Sequence, residues 1–315
     1  MRIILLLCAA ILFIGMSSAW ADEDTPGERR AHIGFDSVLL GGFLGGQWVS
    51  ADDLQGTEEH RFNRIWGGHD CRVYSSKGFE GAGTWSAMHN EHPGEDEDWD
   101  KEPNAPIFDV RMENGRTLGF GSARLAIISS WNPTPRRAAS LNTKDAVYNK
   151  IVKEYLGRNG LSDAEVNIMQ LFRVDLEGDG VDEVVIYAQN IFKREATATW
   201  AMDKPLFHFG AGLPEELKEG QYSLLLLRKI VGGKVHEIPL VQCISLKECT
   251  TANGQSVPPL LHKLYQFADL NGDGIMEIIT GEYSFKGFAY LVYEIEGSKA
   301  VTALKEFVPI ERPSS

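Results

Sequence analysis

Residues 172–185 read FRVDLEGDGVDEVV, and residues 266–279 read QFADLNGDGIMEII. The two stretches align without gaps at an offset of 94 residues, and in both of them an acidic, glycine-containing loop runs into apolar, mostly β-branched residues. β-branched residues favour strands, and the glycines allow the positive φ angles that a tight loop needs. The repeat therefore predicts two strand–loop–strand units.

Oxygen-bearing groups occupy every second position of both loops. They are the side chains of Asp175, Glu177, Asp179 and Glu183 with the carbonyl of Val181, and the side chains of Asp269, Asn271, Asp273 and Glu277 with the carbonyl of Ile275. Calcium takes about six to eight oxygen ligands, and clustered carboxylates without a cation would repel one another. The spacing predicts a calcium ion in each loop, with a structural rather than a catalytic role. Ion-free turns, in which Asp and Asn bind their own backbone amides, are the alternative.

The flanking residues separate these loops from EF-hands. An EF-hand carries a bidentate glutamate at its twelfth position, where these loops have Ile186 and Thr280, and it lies between helices. The two segments instead resemble the calcium loops of integrin-α FG-GAP (VCBS-like) β-propeller repeats, whose core is Asp-x-Asn/Asp-Gly-Asp-Gly-x-x-Asp/Glu. The resemblance covers the loop segments alone. It implies hairpin calcium loops between blade strands of secreted proteins, often adhesion or ligand-binding ones.

The rest of the chain predicts a mainly β protein. Strand-like runs and a Gly232-Gly233 hairpin turn predict an antiparallel, propeller-like β meander in the C-terminal part. One amphipathic helix, capped by Asn142 or Thr143, packs against it. The N-terminal part, rich in glycine and tryptophan, predicts a second β module. The predicted division is a signal peptide at 1–21, the Gly/Trp-rich module at 22–140, and the helix with the two-repeat module at 141–315.

The first residues have the pattern of a secretory signal. Arg2 precedes an apolar run over residues 3–16, and Ala19-Trp20-Ala21 gives the small-x-small cleavage pattern. The apolar run is shorter than the roughly 20 residues of a membrane-spanning helix. The chain is therefore predicted to be secreted, extracellular or periplasmic, with no integral membrane segment after cleavage. An uncleaved anchor is the alternative.

The three cysteines beyond this segment suggest one disulfide. Cys243 and Cys249 flank a short run, and an oxidising compartment permits a bond between them, with two free thiols as the alternative. Cys71 is left over.

Charge and aromatic residues narrow the partners. Lys and Arg total 31 against 44 Asp and Glu, and the net charge of −13 argues against nucleic acid and anionic lipid. Trp48, Trp66 and Trp85 form a candidate platform for a sugar, with a place in the β core as the alternative. The sequence predicts a secreted, calcium-binding, non-catalytic module for a glycan, surface or protein partner. An extracellular hydrolase acting on polysaccharide or another polymer, and an envelope structural protein, are the alternatives.

Overall fold

The computed structural model describes residues 29–55, 68–86, 108–191, 217–245, 249–251, 254, 256–257, 261–284 and 287–309. The predicted signal peptide and Trp66 lie outside these ranges. In the described residues the protein is mainly β, with three antiparallel sheets and two helices. The predicted fold class is confirmed at this level.

The first sheet has eight strands in the order β3-β2-β1-β8-β4-β5-β6-β7. Its strands are β1 (Ala31–Phe35), β2 (Val38–Leu44), β3 (Gln47–Ser50), β4 (Asp70–Ser75), β5 (Gly78–Trp85), β6 (Val110–Met112), β7 (Thr117–Leu118) and β8 (Leu125–Ser129). Helix α1 (Ala51–Gln55) follows β3. Asp36 and Ser37 both have positive φ, at 53° and 66°, which fits the two-residue turn between β1 and β2.

The second sheet has seven strands in the order β15-β14-β13-β12-β11-β10-β9. They are β9 (Ala139–Ser140), β10 (Ile168–Val174), β11 (Glu183–Gln189), β12 (Tyr222–Val231), β13 (Lys234–Ile244), β14 (Cys249–Thr251) and β15 (Ser256–Val257). Strands β10 to β13 form a meander, and Gly232-Gly233 makes the predicted turn between β12 and β13.

Helix α2 (Ala146–Arg158) packs on this second sheet. Its buried residues Val152, Tyr155 and Leu156 belong to one apolar cluster with residues of β10, β11 and β12. The predicted cap at Asn142 or Thr143 is wrong, because Asp145 is the N-cap and accepts a 2.8 Å bond from the Val147 amide.

The third sheet is a four-stranded meander of β16 (Leu261–Ala268), β17 (Glu277–Ser284), β18 (Gly287–Glu296) and β19 (Lys299–Pro309). Every residue of β16 and β17 is buried. Phe267 meets Phe172 of the second sheet at 6.0 Å between ring centroids, whereas Tyr290 meets Phe35 of the first sheet at 5.2 Å. The third sheet therefore lies between the other two, and the largest apolar cluster contains residues of all three.

Candidate metal site at the paired carboxylate loops

Both repeated segments are hairpin loops, as the sequence predicts. The first loop (residues 175–182) joins β10 to β11, with Val174 paired to Glu183. The second loop (residues 269–276) joins β16 to β17, with Ala268 paired to Glu277. Strands flank both loops, which separates them from EF-hands.

The leading aspartate of each loop gathers backbone amides. Asp175 accepts bonds from the amides of Gly178 at 2.6 Å and Gly180 at 3.1 Å. Asp269 accepts the corresponding bonds at 2.7 and 3.1 Å. The glycines have φ between +74° and +89° in both loops, so the backbone curls around the leading carboxylate in the same way.

The fifth residues of the two loops, Asp179 and Asp273, each form a smaller turn. Asp179 accepts a 2.8 Å bond from the Val181 amide, and Asp273 accepts a 2.7 Å bond from the Ile275 amide. These are the side chain-to-backbone bonds of Asx turns. The residues predicted to offer carbonyl ligands therefore lie next to the predicted carboxylate ligands.

The ninth-position glutamates face back into the loops. Glu183 accepts a 2.8 Å bond from the Leu176 amide, and Glu277 accepts a 2.6 Å bond from the Leu270 amide through Oε2. Glu277 has no exposed surface, and its Oε1 has no hydrogen-bond partner. An ionised carboxylate with an unpaired oxygen in the protein interior is costly, so this oxygen needs a cation or a proton.

The third residues of the two loops, Glu177 and Asn271, contact side chains from distant strands. Lys229 Nζ of β12 lies 2.8 Å from Glu177 Oε1 in the first loop. In the second loop, Asn271 Nδ2 donates to Glu294 Oε1 of β18 at 3.2 Å. Trp48 Nε1 donates to the other oxygen of Glu294 at 2.9 Å, which ties the first sheet to the second loop.

Carboxylates at the second loop raise one another's pKa. Burial raises the pKa of Glu277 well above its usual value, and Asp273, Asp269 and Glu294 raise it further. Burial also raises the pKa of Asp269, with Asp273 adding to the effect.

The first loop differs because a lysine ammonium lies beside its carboxylates. Burial raises the pKa of Glu183 and the neighbouring Glu177 adds to the rise, but the Lys229 ammonium opposes it.

Arg136 joins the two loops. Its Nε donates to Asp175 O at 2.6 Å, and its Nη2 donates to Leu176 O at 2.8 Å and to Gly274 O at 2.6 Å. The Met276 amide also donates to Leu176 O at 2.9 Å. The loops are therefore one bonded unit rather than two separate hairpin ends.

Trp131 supports the second loop and lies, like Arg136, in the segment between β8 and β9. Its Nε1 donates to Asp269 O at 2.8 Å. A Cβ built at Gly272 would lie 2.8 Å from the indole ring. Only glycine fits there without displacing the ring.

The ten predicted ligand residues thus lie in the two loops and at the first residue of the strand that follows each loop. Among the described residues, no group of three or more His, Cys, Asp or Glu side chains has the arrangement of a ready-made metal centre. Several of the loop carboxylate oxygens accept backbone amides instead, and Asp175 Oδ1 accepts two of them, from Gly178 at 2.6 Å and from Asp179 at 3.2 Å. Calcium binding stays a prediction.

The tryptophan platform needs correction. Trp85 is 1% exposed and stacks on Phe108 at 4.4 Å between ring centroids, so it is a core residue. Trp48 is half-buried, packs edge-on against Phe43 and bonds to Glu294. Trp66 lies outside the described residues. Trp85 therefore cannot contribute to an exposed sugar-binding surface.

Cys243 and Cys249 are buried, and no disulfide joins them in this structure. The β13–β14 register, continued from the Gln242–Thr250 pair, sets them opposite each other. A hydrogen bond with Cys243 lowers the pKa of the Cys249 thiol. The disulfide is not formed here, although the two thiols are neighbours, and it stays a prediction. Cys71 is also buried and takes part in no disulfide.

Comparison with protein-family models, with curated proteins and with solved structures returns no match. Neither helix in the described part of the chain has the length and apolar run that a bilayer crossing needs.

Proposed function

We propose that this is a secreted, non-catalytic β-sheet protein that binds calcium at its carboxylate loops and presents a binding surface to a glycan, surface or protein partner. The observation that supports calcium binding is the buried, unpaired Oε1 of Glu277. Asp269, Asp273 and Glu294 lie near Glu277, and in the described part of the chain none of these carboxylates forms an ion pair with a lysine or arginine.

The chemistry of the ligands favours calcium over other metals. Both loops offer carboxylate, amide and backbone oxygens and no nitrogen or sulfur ligand. Calcium accepts such a set in a forgiving geometry, Mg²⁺ prefers to keep several waters, and Zn²⁺ prefers nitrogen and sulfur.

The ion would stabilise the fold. The loops connect strands of the second and third sheets, and Arg136 bonds to both loops. An ion bound only by the folded chain adds about 2.7 kcal/mol of stability at a free concentration 100 times its Kd. Extracellular calcium would then remain bound and stabilise the folded protein.

Thermal unfolding tests this proposal. The purified chain is melted in EDTA, and calcium or magnesium is then added back in parallel. We expect calcium to raise the Tm and magnesium to do so much less. Equal melting curves in EDTA and in millimolar calcium, with no metal in the purified protein by elemental analysis, would refute calcium binding.

A surface beside the loops supports the proposed binding of a partner. Phe79 is 61% exposed at a cavity of about 220 Å³ that Asn132 and Arg137 also line. An aromatic face with amide and guanidinium donors is a contact set that suits a sugar, and Arg137 suits one that carries a carboxylate.

Glycan binding tests this surface. Neutral and acidic glycans are screened with the wild type and with Phe79→Ala, and Phe120→Ala is the control at another exposed phenylalanine (43% exposed). We expect binding to be lost in Phe79→Ala alone. Turnover of any glycan would refute the non-catalytic assignment.

A further inference from the structure

The two loops belong to matching three-strand units. The first unit is β10, the first loop, β11 and β12; the second unit is β16, the second loop, β17 and β18. The β11–β12 register, continued by one residue, places Lys229 opposite Glu183. The β17–β18 register, continued in the same way, places Glu294 opposite Glu277. Equivalent positions therefore carry opposite charges in the two units.

In the first unit, Lys229 supplies an internal cation. Its ammonium group is buried and lies 2.8 Å from Glu177 Oε1. A calcium ion bound by the same Glu177 oxygen would lie within about 5 Å of the ammonium, since the Ca–O distance is roughly 2.4 Å. Two cations at that separation in a half-buried site repel each other strongly.

In the second unit, Glu294 adds negative charge instead. It bonds to Asn271 Nδ2, which also donates to Asp273 Oδ2 at 3.2 Å. The buried Oε1 of Glu277 is left without a partner. Arg136 does not account for the difference, because its guanidinium binds backbone carbonyls of both loops.

We propose that the second loop is the calcium site of this protein, and that the Lys229 ammonium takes the place of the ion in the first loop. Glu294 is a positioning residue: it holds the Asn271 amide group through Nδ2, while Asn271 Oδ1 accepts a 2.9 Å bond from the Asp273 amide and keeps a second lone pair for the ion. This inference rests on the proposed calcium binding and narrows it from two ions to one.

Calcium stoichiometry tests the inference through two matched variants. Equilibrium dialysis of the EDTA-stripped chain against calcium is expected to give one ion for the wild type. Asp179→Ala, at the fifth position of the first loop, keeps that ion, whereas Asp273→Ala, at the same position of the second loop, loses it. Two ions in the wild type, or loss of the ion in Asp179→Ala, would overturn the inference while leaving calcium binding intact. No ion in the wild type would overturn both.

Lys229→Met adds a gain-of-function test. Removing the ammonium leaves the first loop without its cation, and we expect the variant to bind two ions. Lys305→Met is the control, because Lys305 lies 3.3 Å from Glu282 and away from both loops; it stays at one ion. A folded Lys229→Met that also stays at one ion would refute Lys229 as the group that replaces calcium. Glu294→Gln is expected to weaken the wild-type site about tenfold, and an unchanged affinity would count against its positioning role.

Discussion

Removal of the Arg136 guanidinium should cost a large part of the stability of the two loops. Arg136→Ala deletes three bonds from a charged donor to backbone carbonyls, two in the first loop and one in the second. A bond to a charged group contributes about 1.5–3 kcal/mol net. The Gly274 carbonyl is exposed and regains water, so two bonds at the lower end of that range give a loss of about 3 kcal/mol.

Urea unfolding in EDTA measures this loss without a contribution from bound metal. Arg137→Ala is the matched control, because the neighbouring arginine is exposed and no bond from it to either loop is observed among the described residues; its effect should stay within about 0.5 kcal/mol. Arg136→Lys should recover only part of the loss, since an ammonium cannot reach three carbonyls in a fixed fork. An Arg136→Ala variant as stable as Arg137→Ala would refute the bonded-unit description of the loops.

Three further predictions concern single positions. Gly272→Ala should lower the Tm more than Gly274→Ala, because both have positive φ but only Gly272 faces the Trp131 ring; equal losses would contradict the close packing. Burial raises the pKa of Glu306 to about 7, so the folded state keeps a proton that the unfolded state has lost. The associated stability is full below about pH 4.5 and is lost as the pH rises through 7. Glu306→Gln should therefore have a higher Tm than the wild type at pH 8 but not at pH 4. An equal difference in Tm at both pH values would argue against a raised pKa of Glu306. Burial lowers the pKa of His262 to about 3. The stability associated with the neutral imidazole is therefore present above about pH 6.5 and is lost as the pH falls toward 3. His262→Leu should reduce the loss of Tm between pH 7 and 4, and an unchanged acid sensitivity would show that other groups cause it.

Local signals predicted the parts of the fold that local contacts determine. The Gly232-Gly233 turn needs only the positive φ of two glycines, and each carboxylate loop closes on amides within five residues of its leading aspartate. The helix cap was mistaken by a few residues because Asn142 also makes a local turn, in which its side chain accepts from the Lys144 amide, just before Asp145 caps the helix.

The remaining parts of the site depend on strand register and sheet stacking. Arg136 is 39 residues from Asp175 and 138 from Gly274, and no periodicity connects them. Lys229 and Glu294 could be recognised as equivalent only once their strands were paired. Trp85 was misplaced for a related reason: an indole in a glycine-rich strand has the same sequence context whether it faces solvent or, as Trp85 does, a core phenylalanine.

The position of the third sheet has a consequence for the order of folding. Its strands come from residues 261–309, yet they fill the space between sheets built from earlier parts of the chain. Until those residues are synthesised and delivered, Phe35 and Phe172 have no aromatic partners from the layer between their sheets. Closure of the core is thus a late, non-local event, and contacts between distant parts of a chain form slowly. Before residues 261–309 are available, the nascent protein would expose the apolar faces of the first and second sheets that the third sheet covers, and a holding chaperone would protect them from aggregation.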